Sequence, residues 1–240
     1  MTAIMRTFQN QSILVVGGSS GIGLAAAKAF SDAGGDVTIA SRSHDKLAEA
    51  LRHLPGVTTS SLDITRDEDV DKFFDAAPVF DHVVVSAAQT PGGPSRSLKL
   101  ADAYAAMNSK FWGAYRVARR VRIHAGGSLT LVSGFLSVRP SATSVLQGAI
   151  NAALEALARG LALELSPIRV NTVSPGIVAT PLWSGMSDEA RNQMFESAAN
   201  RLPAKRVGSA EDIANAILYL AGTPYATGST VLVDGGGAIA

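Results

Sequence analysis

The sequence predicts an α/β fold, a single doubly wound parallel sheet of about seven strands with helices on both faces. Three observations predict it. Short apolar runs recur along the chain with helical segments between them, and no long linker interrupts the alternation. Near the start, a strand, a glycine turn and a helix follow one another directly. Strict β–α alternation calls for parallel pairing, because each helical crossover returns the chain to the same end of the sheet.

The first element is the run Ile13, Leu14, Val15 and Val16. Four apolar, mostly β-branched residues suit a strand buried on both faces and are too few for a helix. Gly17, Gly21 and Gly23 then punctuate a turn, and an Ala-rich amphipathic stretch follows over 24–33. Glycine lets the backbone approach a pyrophosphate closely, and the helix N-terminus offers free N–H groups and a positive dipole end. Glycine turns are common in loops; flanked by this strand and this helix, the turn predicts a dinucleotide-type site. Further strands are expected at 36–40, 57–62, 82–86, 128–133, 168–173 and 230–233. Helices are expected at about 46–53, 68–76, 101–124, 148–165 and 210–221. The one long irregular stretch is 180–207, with a short helix expected at 188–198. Loops of this length beyond the carboxyl ends of strands are where substrate lids sit. Residues 1–240 are thus expected to form a single nucleotide-binding domain with 180–207 as its lid.

Composition narrows the function classes. The formal net charge is +1 and no basic block occurs, so neither nucleic acid nor an anionic membrane is an expected partner. The chain has no cysteine, which excludes disulfides and thiolate chemistry. His44, His53, His82 and His124 are scattered without ligand spacing, so no metal site is expected. No apolar run reaches the length of a membrane span. The first 18 residues lack a signal-peptide pattern, and a cytoplasmic location is expected. Charged residues make up only 17%, little for a wide solvated surface, which hints at contacts buried between subunits.

Residues 16–23 (VGGSSGIG) resemble the TGxxxGIG turn of the short-chain dehydrogenase/reductase family, with Val16 where threonine is usual. The resemblance covers nearly all of the chain. Residues 62–65 (LDIT) are similar to the segment whose aspartate bonds the adenine ring, and 175–180 (PGIVAT) to the PGxxxT loop over the nicotinamide. Residues 206–214 (RVGSAEDIA) and 227–236 (TGSTVLVDGG) are the most specific matches. The resemblance implies a Rossmann-type fold and a set of cofactor contacts. Gly17, Ser19, Ser20, Gly21, Ile22 and Gly23 would form the phosphate turn, with Asp63 and Ile64 at the adenine. Ser86, Ala87 and Ala88, followed by Gln89, stand where the family has Asn-Asn-Ala-Gly and would let the cofactor pass. Pro175, Gly176, Ile177, Val178 and Thr180 would cover the nicotinamide. Asn108 matches the asparagine of the family's long fourth helix.

The resemblance departs at the family's serine, tyrosine and lysine. Aligned back from 161–165 (LALEL), the YxxxK motif falls on 147–151 (QGAIN), so Gln147 stands for tyrosine and Asn151 for lysine. The serine position falls on Gly134, with Ser133 one residue earlier and Ser137 close by. The candidate catalytic residues are therefore Asn108, Ser133, Gln147 and Asn151, with Asn151 also able to bond ribose hydroxyls. An amide donates hydrogen bonds but no proton at neutral pH. Loss of a general acid costs on the order of 10²–10⁴-fold in rate.

The second strand ends in Ala40, Ser41, Arg42 and Ser43. An acidic residue at this point accepts bonds from a ribose 2′-hydroxyl. Ser41 holds the position instead, so no carboxylate repels a 2′-phosphate. The fork of Arg42 can bond one, with Ser41 and Ser43 as further donors. NADP(H) is expected over NAD(H). Two functions follow. One is an NADP(H)-dependent oxidoreductase with altered catalytic residues and an unidentified small-molecule substrate, such as an iminium or an alkene with another electron sink. The other is a catalytically silent NADP(H)-binding protein, acting as cofactor sensor or partner subunit. The family commonly associates through its fourth and fifth helices, and Met107, Phe111, Trp112 and Tyr115 give the fourth more apolar surface than one core face needs. A homodimer or homotetramer is expected.

Overall fold

The computed structural model describes residues 7–240. Its strands are β1 (Ser12–Val16), β2 (Asp36–Ser41), β3 (Thr58–Ser61), β4 (Phe80–Val85), β5 (Ile123–Val132), β6 (Arg169–Pro175) and β7 (Thr230–Val233). All pair in parallel in one sheet, ordered β3-β2-β1-β4-β5-β6-β7. The helices between them are α1 (Gly21–Asp32), α2 (His44–Leu51), α3 (Asp67–Ala76), α4 (Leu100–Met107), α5 (Gly113–Arg120), α6 (Val145–Glu164), α7 (Asp188–Arg201) and α8 (Ala210–Ala221).

The period of two along β1 divides the core. Ile13 and Val15 point to one face, where they join Ala26, Ala27 and Phe30 of α1, Leu47 of α2, and Ile213 and Ile217 of α8. Leu14 and Val16 point to the other, with Val70 and Phe74 of α3, Val117 of α5, and Leu154, Ala158 and Leu161 of α6. A strand covered on both faces cannot alternate with polar residues, which is why Ile13–Val16 of β1 and Val83–Val85 of β4 are apolar without a break. The doubly wound sheet expected from the sequence is the sheet that forms. Among the described residues, no helix is long and apolar enough to cross a membrane.

The helix expected over 101–124 differs. It ends at Arg120, and its middle turn, Asn108–Trp112, is a π-helix between α4 and α5. His124 instead lies in β5, which begins at Ile123. Gly126, at φ +83°, and Gly127 absorb a shift in register there. Ile123 pairs with Phe80, yet the residue opposite His82 is Ser128. That irregularity removes the alternation that would mark a strand in the sequence. The α6 helix also starts earlier than expected, at Val145.

The His82 ring is buried against Phe8 and Phe30. Its Nδ1 lies 2.8 Å from Ser128 Oγ and its Nε2 3.0 Å from Gln11 Oε1. Burial, with help from the Arg169 charge and against that of Asp81, pulls its pKa from 6.5 to about 4. Between those values the unfolded chain holds a proton that the folded chain excludes. This contribution to stability is therefore complete above pH 6.5 and is lost as pH falls toward 4. It amounts to about 3 kcal/mol by linkage. Urea midpoints are expected to drop across that window, and the drop should be much smaller in His82→Gln.

Candidate active site

The strand order reverses between β1 and β4, since the chain proceeds outward from β1 on one side and from β4 on the other. Such a switch point opens a crevice beyond the carboxyl ends of the strands. Here the crevice is a cleft of about 860 Å³. Its floor is set by main-chain bonds. The Val16 carbonyl accepts from the N–H groups of both Ser86 (2.9 Å) and Ala87 (3.1 Å), and the Gly17 N–H donates to the Ala40 carbonyl at 2.7 Å. Gly17 sits at φ +86°, and a Cβ there would lie 2.5 Å from the Ala87 nitrogen. Only glycine fits this crossing. Gly23 lies behind the turn rather than on the cleft, and a Cβ on it would meet the Gly17 carbonyl oxygen at 2.1 Å. Ser20 is the N-cap of α1, but its side chain makes no capping bond, and the first turn carries no acidic residue. The first N–H groups of α1 are thereby left for an anion in the cleft.

Along one end of the cleft, Ser19 Oγ donates to Ser41 Oγ at 3.0 Å, and Arg42 Nη2 donates to Gln89 Oε1 at 2.6 Å. Ser43 Oγ accepts from the Lys46 N–H and caps α2. Asp63 Oδ1 accepts from the N–H (2.9 Å) and the hydroxyl (2.7 Å) of Thr65. Burial alone would raise the Asp63 pKa. The two Thr65 bonds and the charges of Arg42 and Arg66 outweigh it and hold the carboxyl below its usual range. Ile64, Ala88, and Pro175, Gly176, Ile177, Val178 and Thr180 of the loop after β6 line the same cleft. That loop leads into a 3₁₀ turn, Pro181–Trp183, pinned by the bond from the Trp183 indole N–H to the Val178 carbonyl at 2.9 Å.

At the other end, α6 carries Gln147, Asn151 and Glu155 at four-residue spacing, one polar stripe on a helix otherwise rich in Ala and Leu. Gln147 Nε2 donates to the Thr90 carbonyl at 2.8 Å. Glu155 is buried, and its Oε1 accepts from the hydroxyls of Ser133 (2.9 Å), Ser137 (2.7 Å) and Ser174 (3.2 Å). Ser133, a candidate from the sequence, thus lines the cleft with its hydroxyl committed to Glu155. Asn108 does not line the cleft; its amide donates to the Thr65 carbonyl at 3.3 Å, where it steadies the start of the π-helix.

The π-helix brings in a residue that the sequence reading did not select. Lys110 Nζ donates to the Ser133 carbonyl at 2.7 Å and to Asn151 Oδ1 at 2.6 Å, and its side chain lines the cleft. Burial lowers its pKa from 10.5 to about 8, opposed by the charge of Glu155.

A family model described as enoyl-(acyl carrier protein) reductase matches residues 16–237. The chain is 30% identical to short-chain dehydrogenase/reductase ucsE of an Acremonium species, over 97% of each protein. The chain belongs to the short-chain dehydrogenase/reductase family. It is also 30% identical to carbonyl reductase family member 4 of Danio rerio, over 93% of this chain and 96% of that protein. Among solved structures, a small-chain dehydrogenase in complex with NADPH superposes with a TM-score of 0.83 at 35% identity, covering 96% of this chain and 99% of that one. The family's oxidoreductase activity and Rossmann-type fold accordingly extend to this member.

At this end of the cleft, Gly134 and Asn151 constrain one another. A Cβ on Gly134 would lie 2.7 Å from Asn151 Nδ2. A lysine at 151 would meet the Lys110 ammonium at the Ser133 carbonyl, and two unpaired like charges in an enclosed site are costly. Asn151→Lys is expected to lose roughly 3 kcal/mol of stability, read from the urea midpoint. Adding Lys110→Met to that variant should recover most of the loss.

Proposed function

We propose that the protein is an NADP(H)-dependent oxidoreductase that acts on a small molecule held at the Gln147–Asn151 end of the cleft. The observation that carries this reading is the continuity of one cavity from Ser41, Arg42 and Ser43 to Lys110, Gln147 and Asn151. The residues present suit the cofactor. The uncapped N-terminus of α1 suits a pyrophosphate, Asp63 is an ionised acceptor for an adenine amino group, and no carboxylate stands at the end of β2. The NADPH carried by a neighbour of similar structure supports the same choice. When bound, NADPH supplies the hydride. The protein's part is to hold the phosphates on α1, to grip the 2′-phosphate with Arg42, and to position the substrate against α6. Arg42 must trade its bond to Gln89 for this contact, and its planar fork can then make a bidentate, charge-assisted pair. NADPH should bind more tightly than NADH, and Arg42→Ala should weaken NADPH roughly 10–100-fold while leaving NADH nearly unchanged. Equal dissociation constants for the two cofactors in the wild type, by fluorescence titration, would overturn the assignment.

A second reading, a cofactor-binding protein without turnover, draws on Gln147, which has no proton to give and whose amide is spent on the Thr90 carbonyl. Incubation with NADPH and a panel of imines, enones and ketones separates the two. Loss of NADPH absorbance supports the enzyme, and tight binding with no loss supports the binding protein.

Self-association is part of the proposal. Tyr104, Trp112 and Tyr115, 69%, 46% and 40% exposed, form an aromatic surface along α4, the π-turn and α5, of the kind buried between subunits. Sedimentation at micromolar concentration should give a dimer or tetramer, and a monomer would count against it.

A further inference from the structure

We propose that Lys110 is the proton donor of the site, giving its Nζ proton to the oxygen of a ketone or aldehyde substrate as the carbonyl is reduced. This rests on the NADP(H)-dependent reading above and adds to it the substrate class and the acid. Gln147 cannot supply a proton, Ser133 has committed its hydroxyl to Glu155, and Asn151 is an amide. Among the described residues that line this end of the cleft, Lys110 is the cationic side chain.

Its placement is built rather than incidental. An ammonium has three N–H donors and no acceptor. Two of them are fixed on the Ser133 carbonyl and Asn151 Oδ1, which set the group's position, and the third remains for a substrate. Space for that substrate is the cleft itself, which Lys110 and Asn151 both line, while Gly134 leaves room for the Asn151 amide. Among the described titratable groups, Glu155 on α6 is the one whose charge bears on Lys110. Its Oε1 is held by three serine hydroxyls, so this counter-charge cannot swing away to pair directly with the ammonium. Burial and the Glu155 charge act in opposite directions on Lys110 and leave it able to change protonation near neutral to mildly basic pH.

The step balances. With the reduced dinucleotide supplying the hydride, the carbonyl carbon gains a C–H bond and the π pair moves to oxygen. The oxygen takes the proton from Lys110 Nζ, and the neutral amine regains a proton from water. The sum is ketone, NADPH and H⁺ going to alcohol and NADP⁺.

The first test needs no substrate. NADP⁺ carries a positive nicotinamide ring and NADPH a neutral one, while their phosphates are alike. If Lys110 faces that ring, NADP⁺ should lower its pKa. A fall of one unit releases roughly 0.4 of a proton at pH 8. Isothermal titration in buffers of different ionisation enthalpy should show that excess for NADP⁺ over NADPH in the wild type, and none in Lys110→Met or Lys110→Arg. Glu155→Gln should shift the pH at which the excess peaks downward. The second test uses ethyl acetoacetate, cyclohexanone and benzaldehyde with NADPH. At least one should be reduced, kcat/KM should fall on the order of 10²–10⁴-fold in Lys110→Met, and ethylamine should partly restore Lys110→Ala. Arg keeps the charge but does not release a proton. Full activity in Lys110→Arg would therefore mean a positioning role and overturn the proposal. Cofactor binding with no proton excess, or with no carbonyl reduced, overturns it as well. Failure to bind NADPH at all would instead remove the reading it rests on.

Discussion

The contact between the ends of β1 and β4 governs everything above the sheet. One carbonyl, that of Val16, accepts two N–H groups from the start of the loop after β4, while Gly17 crosses so close to Ala87 that no side chain fits. Parallel strands place all their carboxyl ends on one rim, and the reversal of order at β1 and β4 separates the helices that would otherwise cover it. The phosphate turn, the Asp63 corner and the loop after β6 each depend on that separation. So does the reach of Lys110, which enters from the π-turn beyond β4 and meets α6 across the cleft.

Beneath this end of the cleft lies a polar cluster that a purely apolar core would not need. Glu155 is buried with Ser133, Ser137 and Ser174 around one of its oxygens. A buried carboxylate recovers its desolvation cost only through hydrogen bonds to its oxygens, and three hydroxyls from three different segments donate to Oε1 here. The cluster joins the residue that follows β5, the 3₁₀ turn Phe135–Ser137, α6 and β6 at one point. It therefore fixes the position of the Ser133 carbonyl, and through that carbonyl the position of the Lys110 ammonium.

Much of this was legible in the residues. Consecutive β-branched runs marked the strands, and Ser41 with Arg42 marked the end of β2. The break of the long helix was not legible, because a π-turn and a two-glycine bulge leave no signature in hydrophobic spacing. Lys110 had a signal that went unused. Ala106, Lys110, Ala114 and Val117 recur at helical spacing, and three of the four are buried apolar residues. A lysine inside such a stripe is a buried charge, and buried charges are retained for partners or for function. Glu155 carried the same signal between Leu154 and Ala158. What the spacing did not contain was the distance across the cleft that brings the two helices' polar residues together.

The family's tyrosine and the lysine found here reach the same range of acidity by opposite physical routes. A phenol ionises at about 10 in water, and a neighbouring cation lowers that value by stabilising the phenolate. An ammonium starts equally high, but its conjugate base is neutral, so enclosure alone lowers it. A site that loses the phenol can therefore keep its chemistry by moving a lysine from water-facing surroundings into a wall, without any second cation. The cost is geometric. The ammonium needs acceptors that do not neutralise it, which a main-chain carbonyl and an amide oxygen provide and a carboxylate in direct contact would not. Asn151 serves that purpose, and Gly134 leaves room for it. The three positions where the sequence reading expects a departure from the family pattern, 134, 147 and 151, are on this proposal adjusted to a cation arriving from the opposite side of the cleft.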